Sequence, residues 1–136
     1  HPISKPPLKP KKKISLSKQV AKTQKVFNEF IRTRDSNLPC ISCGSSNTEH
    51  AGHFYPAGKY THLRYNETNV HAQCRKCNFF EHGNLILYRI NLEKKIGIDR
   101  LLLLDSIAKR GVHKWSIVEL EILEDEYKLK ARHLGL

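Results

Sequence analysis

From Cys40 to Asn78 the chain reads CISCGSSNTEHAGHFYPAGKYTHLRYNETNVHAQCRKCN, two Cys-x-x-Cys pairs around a segment rich in histidine, asparagine and turn residues. Every cysteine of the chain, Cys40, Cys43, Cys74 and Cys77, belongs to one of these pairs. A Cys-x-x-Cys turn points both thiolates toward one centre, so two pairs suit a tetrahedral ion with metal–sulfur bonds of about 2.3 Å. Disulfide pairing is the alternative, and it needs an oxidising compartment. The N-terminus is basic and proline-rich without an apolar signal core, and no run of about eighteen apolar residues suggests a membrane span. These features favour a structural Zn2+ site in a cytoplasmic protein with no membrane contact. A chain of 136 residues buries only a modest core, which such a site would reinforce.

Between the pairs, Thr48 to Tyr55 has the β-branched, aromatic and small residues of a short strand, and Pro56-Ala57-Gly58 reads as a turn. Tyr60 to Tyr65 is expected to complete a hairpin. The second pair opens a helix from about Arg75, interrupted near Gly83. On a regular strand His50 and Gly52 share one side, while His53 points to the other. Asn78 and His82 stand four residues apart, so on the predicted helix they share a face and converge on one ion. Phe79 and Phe80 are expected to be core, because a helix after the knuckle must bury one face.

Working outward, residues 1–14 (HPISKPPLKPKKKI) hold four prolines and five lysines and read as a flexible basic arm. Residues 15–36 form an amphipathic helix, capped by Ser15 or Ser17, with Val20, Val26, Phe27, Phe30 and Ile31 mostly on one face. Residues 37–84 are the knuckle unit, and 85–136 a helical region. In the latter, Leu85 to Ile96 and Asp99 to Lys109 suggest helices that pack on the first. A capping box of Ser116 and Glu119 starts a last helix running to about Ala131, with Trp115 as its anchor. The 24 lysines and arginines exceed the 13 acidic residues to give a net charge of +11, so nucleic acid is the natural partner. Lys11, Lys12 and Lys13 of the arm, with Arg64, Arg75 and Lys76 near the centre, are the candidate phosphate contacts. No Walker loop, dinucleotide fingerprint or serine-nucleophile motif is present.

The order His53, Asn69, then Asn78 directly after Cys77 resembles an HNH nuclease motif with Asn in its third position. That resemblance implies an α+β protein with a zinc-stabilised ββα-metal, treble-clef-like core, flanked by an N-terminal helix and C-terminal helices. It implies His53 as general base, Asn69 as its orienting residue, and Asn78 and His82 as ligands of a catalytic Mg2+ or Mn2+. Many HNH enzymes carry a liganding Asp or His directly before the base, where this sequence has Gly52. His50, on the same strand side as Gly52, is the substitute, with Glu49 behind it. Phosphodiester hydrolysis would then use a neutral His53 to take a proton from water, and a divalent cation to stabilise the leaving 3′ oxygen.

More of the chain, namely His50-Ala51-Gly52-His53-Phe54, the run from Asn69 to Asn78, Gly83-Asn84 and Lys114-Trp115-Ser116, resembles the phage lambda NinG (Rap) recombination protein family. The resemblance implies a phage or prophage protein that acts in a bacterial host cell. It also implies structure-specific cutting of branched DNA: Holliday junctions, D-loops or flaps. Cutting two strands makes a homodimer the mechanical expectation. The competing reading is a non-catalytic zinc-knuckle module that binds DNA or a protein, and Gly52 is its best support. The joint presence of His53, Asn69, Asn78 and His82 favours the nuclease. RNA binding fits the charge but lacks an RNP-like aromatic motif.

Overall fold

Ser15 caps the first helix by accepting a hydrogen bond from the Lys18 amide (3.3 Å), and α1 runs Leu16–Arg34. The computed structural model describes residues 13–135. After α1 come β1 (His50–His53), a 3-10 turn (Thr61–Leu63), β2 (Val70–Gln73), a π-helical turn (Lys76–Phe80), α2 (Leu85–Ile96), α3 (Ile98–Ala108) and α4 (Ile117–His133). Most of the basic arm expected over residues 1–14, including Lys11 and Lys12, lies outside the described residues.

The buried face of α1 meets α4. Phe27, Phe30 and Ile31 close a first core with Leu120, Tyr127 and Ala131, joined by Ala51 of β1 and Val70 of β2. Phe27 meets Tyr65 and Tyr127 edge to face, at centroid distances of 5.8 and 4.8 Å. Polar groups in this seam are paired, as burial demands: Gln19 Nε2 donates to Glu124 Oε1 (2.9 Å) and Thr23 Oγ1 to the Leu120 carbonyl (3.0 Å). The Ser116/Glu119 capping box forms at the start of α4. Trp115 secures that start, its Nε1 donating to the Thr61 carbonyl (2.8 Å).

The two strands pair antiparallel, with His50 opposite Gln73, Ala51 opposite Ala72, Gly52 opposite His71 and His53 opposite Val70. The partner of β1 is thus not the expected Tyr60–Tyr65. That stretch holds the 3-10 turn, which sends Leu63 into one core and Tyr65 into another, and an extended strand could not do both.

The expected packing of the middle helices on α1 also fails, because α4 already covers the inner face of α1. Instead α2 and α3 build a second core: Tyr88, Leu92, Leu101 and Leu104 bury against Ile41, Phe54 and Leu63. Leu85, Ile86 and Ile90, apolar residues of the same helix, remain exposed. Asp35 links the two halves. Its buried carboxylate receives Arg34 (2.9 Å), Lys95 (2.9 Å) and the Ala72 amide (3.0 Å). Burial opposes its ionisation, but these donors prevail and hold the carboxyl well below the usual range.

Candidate functional site

The four cysteine sulfurs lie within 4.8 Å of one another. A tetrahedral ion with bonds of about 2.3 Å requires sulfur–sulfur edges of about 3.8 Å, and the Cys43 and Cys74 sulfurs are 3.7 Å apart. The first knuckle is a tight turn: the Cys40 amide donates to the Ser45 carbonyl (2.8 Å) and the Gly44 amide to the Cys40 carbonyl (2.9 Å). Gly44 has φ +78°, a conformation natural to glycine. In the second knuckle the Cys77 amide and Asn84 Nδ2 donate to the sulfurs of Cys74 (3.4 Å) and Cys77 (3.5 Å). This donor set can hold a metal ion such as zinc. The Ile41 amide, donating to the Ala72 carbonyl (3.0 Å), sews the knuckle to β2.

His53 ends β1. Its Nε2–H donates to the Arg64 carbonyl (2.8 Å), which leaves Nδ1 with the lone pair. Burial pushes its pKa below the ordinary imidazole value, more than the Arg64 carbonyl raises it. Asn69 is fully buried. Its Oδ1 accepts from the Tyr55 amide (2.8 Å), and its Nδ2 donates to the carbonyls of Tyr55 (3.0 Å) and Leu63 (3.1 Å). Its own carbonyl accepts from the Phe54 amide (2.9 Å). Asn69 therefore clamps the backbone directly after His53 and does not touch the imidazole.

On the other side of the strand, Asn78 Nδ2 donates to His50 Nδ1 (2.9 Å), so the fold brings these two residues together. Glu49 beside them is exposed. His82 does not share their helical face, because the π-helical turn stops at Phe80 and His82 has a left-handed backbone, φ 49°. The chain must fold back here: the Gly83 amide donates to the Cys77 carbonyl (2.7 Å), which brings Asn84 against the Cys77 sulfur. The same short turn buries only Cys77. Phe79 and Phe80 are therefore 65% and 62% exposed, not core. Among the described residues, the cysteines alone form a cluster of three or more histidine, cysteine or carboxylate ligands.

Gln73 was not singled out by sequence, yet it occupies the centre of this face. It is fully buried opposite His50, and its Nε2 donates to Ser42 Oγ (2.8 Å) and the Gly83 carbonyl (2.6 Å). The carbonyl acceptor fixes which end of the amide is nitrogen, so Oε1 faces Gly52. A Cβ on Gly52 would lie 1.9 Å from that oxygen. The glycine before His53 is thus explained sterically: Gln73 fills the space a side chain there would need. Oε1 has no hydrogen-bond partner among the described residues. Only the strand register could have exposed this relation.

Of the candidate phosphate contacts within the described residues, Lys13, Arg75 and Lys76 are exposed. The Arg75 guanidinium sits 5.7 Å from the Phe80 ring centroid. Arg64 leans toward α1, with Nη1 3.5 Å from Gln24 Oε1. Three further histidines have structural partners. His62 donates to the Ile107 carbonyl (2.9 Å) and His113 pairs with Glu119 (3.0 Å). His71 donates to the Thr68 carbonyl (2.7 Å).

A two-stranded sheet flanked by helices and pinned by a four-cysteine knuckle defines an α+β protein with a potential metal centre. Residues 4–135 match the family described as NinG, the Bacteriophage Lambda NinG protein, and the chain belongs to this family. It is 38% identical over 117 residues to Protein ninG of Escherichia phage lambda, an alignment covering 85% of this chain and 56% of that protein. Protein ninG of Salmonella phage P22 is also 38% identical and that of Escherichia phage 933W 36%, each over 85% of this chain and 57% of the relative. The chain thus spans about half the length of the curated relatives it matches. No solved structure matches it. Among the described residues, no helix is long and apolar enough to cross a membrane.

Proposed function

We propose that this chain is a metal-dependent DNA endonuclease of the HNH, ββα-metal type, acting on branched recombination intermediates in the bacterial cytoplasm. The observation that carries the proposal is the geometry of His53: its Nε2–H is committed to the Arg64 carbonyl (2.8 Å), and burial shifts the ring toward its neutral form. Nδ1 is then free to take a proton from an attacking water, a contribution of about two to four powers of ten in rate. Asn69 acts as a positioning residue, its side chain fixing the backbone of Tyr55 two residues after His53.

His50 and Asn78 offer nitrogen and oxygen donors side by side, a mixed set that fits Mn2+ or Mg2+, with His82 on the following turn. When bound, such an ion supplies positive charge to the scissile phosphate and the leaving 3′ oxygen. Zn2+ on the four cysteines is structural, since four thiolates leave no open position. Lys11, Lys12 and Lys13, with Arg64, Arg75 and Lys76, grip phosphates without reading sequence. The preference for Holliday junctions, D-loops or flaps rests on the family resemblance of the motifs. Cleavage of paired strands calls for two copies of the chain.

The test is cleavage of labelled four-way, flap and linear DNA with Mg2+ or Mn2+ against EDTA, comparing the unmodified protein with His53→Ala. The expected result is metal-dependent cutting of branched DNA that the substitution abolishes while zinc content and DNA binding persist. Cutting that survives His53→Ala refutes the base assignment. Binding without cutting favours a non-catalytic DNA-binding knuckle, a reading supported by the absence of any ligand at Gly52.

A further inference from the structure

The residues directly after His53 line a cavity of about 500 Å³, with Phe54, Tyr55 and Tyr60 on the loop side and Ile86 and Arg89 on α2. Its rings are set before any ligand arrives. Tyr55 meets Phe54 and Tyr60 edge to face, at 4.9 and 4.8 Å between centroids. Its hydroxyl donates to Asp105, which also receives both arms of Arg89 (3.0 and 2.7 Å). Cations border the rings: Arg89 lies 5.8 Å from the Phe54 centroid and Lys59 Nζ 5.6 Å from that of Tyr60. Ile86, at the edge of the cavity, is 81% exposed.

We propose that this cavity receives an unpaired nucleobase of branched or single-stranded DNA. Aromatic walls give a flat base a stacking surface without demanding a particular sequence. The charge is complementary to a polyanion, because the Lys59 ammonium borders the Tyr60 ring and the chain carries a net +11. Position adds to this, since Phe54 follows His53 directly in the chain. A base inside a duplex must be unstacked to enter, whereas one at a junction or flap pays less. The inference rests on the DNA-directed reading above and supplies a physical source for branch preference.

The experiment places 2-aminopurine at the unpaired position of a flap and follows its fluorescence in EDTA, so that no cutting is needed. Saturating unmodified protein should quench the probe. Ile86→Gln should lose the quenching and weaken flap binding about ten-fold, leaving linear-duplex affinity, zinc content and thermal midpoint nearly unchanged. Tyr60→Ala should lose the quenching too, with a lower thermal midpoint because its ring packs against the second core. Tyr60→Phe should restore both quenching and affinity. Absence of quenching at saturation, or equal quenching in Ile86→Gln, overturns the proposal. So does sedimentation showing that Ile86→Gln dissociates a dimer while quenching persists, since a second copy would then cover the cavity. A protein that cuts but does not quench refutes only the base pocket; one that quenches but never cuts refutes only the nuclease.

Discussion

Replacing Gly52 by alanine should destabilise the protein although it adds a single methyl group. The new Cβ would stand 1.9 Å from Gln73 Oε1, 2.9 Å from its Cδ and 3.1 Å from its Cβ. An amide at the end of a free side chain would swing away at little cost. Gln73 is not free, because its Nε2 is tied to Ser42 and Gly83 and its Cβ is fixed by the β2 backbone. Displacing it breaks two buried hydrogen bonds, each worth about 0.5–1.5 kcal/mol net. Alanine recovers about 0.5–1 kcal/mol through the lower entropy of the unfolded chain. On the mid-values of these ranges the net loss should be about 1 kcal/mol, read as a lower urea midpoint in the zinc-loaded protein. A double-mutant cycle isolates the contact: Gln73→Ala costs stability alone, but in its presence Gly52→Ala should be neutral or stabilising, a coupling of about 1–2 kcal/mol. Unchanged stability in Gly52→Ala, or simple additivity with Gln73→Ala, would refute the steric account of position 52.

Cys77→Ser, or chelation of the metal, should unfold the knuckle and lower the thermal midpoint and DNA binding together; a folded, metal-free protein with an unchanged midpoint would refute the structural role. Asn69→Ala removes three backbone hydrogen bonds from a fully buried side chain, and should cost about 2–4 kcal/mol in denaturant melts while slowing any cutting more than it weakens DNA binding. His71 is pushed down to about 3, by burial and then by the nearby cations Lys95 and Arg34, whereas a histidine in the unfolded chain titrates near about 6.5. The unfolded state therefore takes up the proton first, and stability should fall as pH drops from about 6.5 toward 4, by up to about 1.4 kcal/mol per pH unit. Urea midpoints that stay flat over that range, with metal content checked in parallel, would contradict a neutral buried His71.

The parts of the fold legible in the sequence were those fixed by local chemistry. Ser15 and the Ser116/Glu119 box mark helix starts because a cap satisfies amides within three residues of itself. The cysteine pairs could be read because thiolate geometry sets their spacing. The partner of β1 was hidden for the opposite reason: all four residues of β2 are buried, so no alternation announces a strand, and pairing is a long-range choice. The orientation of α2 was hidden as well, because apolar residues occur around much of that helix and only contact with Ile41, Phe54 and Leu63 decides that Tyr88 and Leu92 face inward. Helical periodicity misplaced His82 because it assumes that the helix continues, whereas the Gly83 and Asn84 bonds to Cys77 end it.

The candidate site has two separate supports. His50, Asn78 and Gln73 lean on the knuckle: Ser42 lies between Cys40 and Cys43, Asn78 follows Cys77, and Gly83, which accepts from Gln73, donates its own amide to the Cys77 carbonyl. His53 depends instead on the loop between the strands, through the Arg64 carbonyl and the Asn69 clamp. Tyr88 joins the two, since its hydroxyl donates to the Gly52 carbonyl (2.6 Å) between His50 and His53 while its ring belongs to the α2–α3 core. A buried tyrosine, not the metal knuckle alone, therefore fixes the strand segment on which both histidines are carried. The helical region after the knuckle is in this sense part of the site.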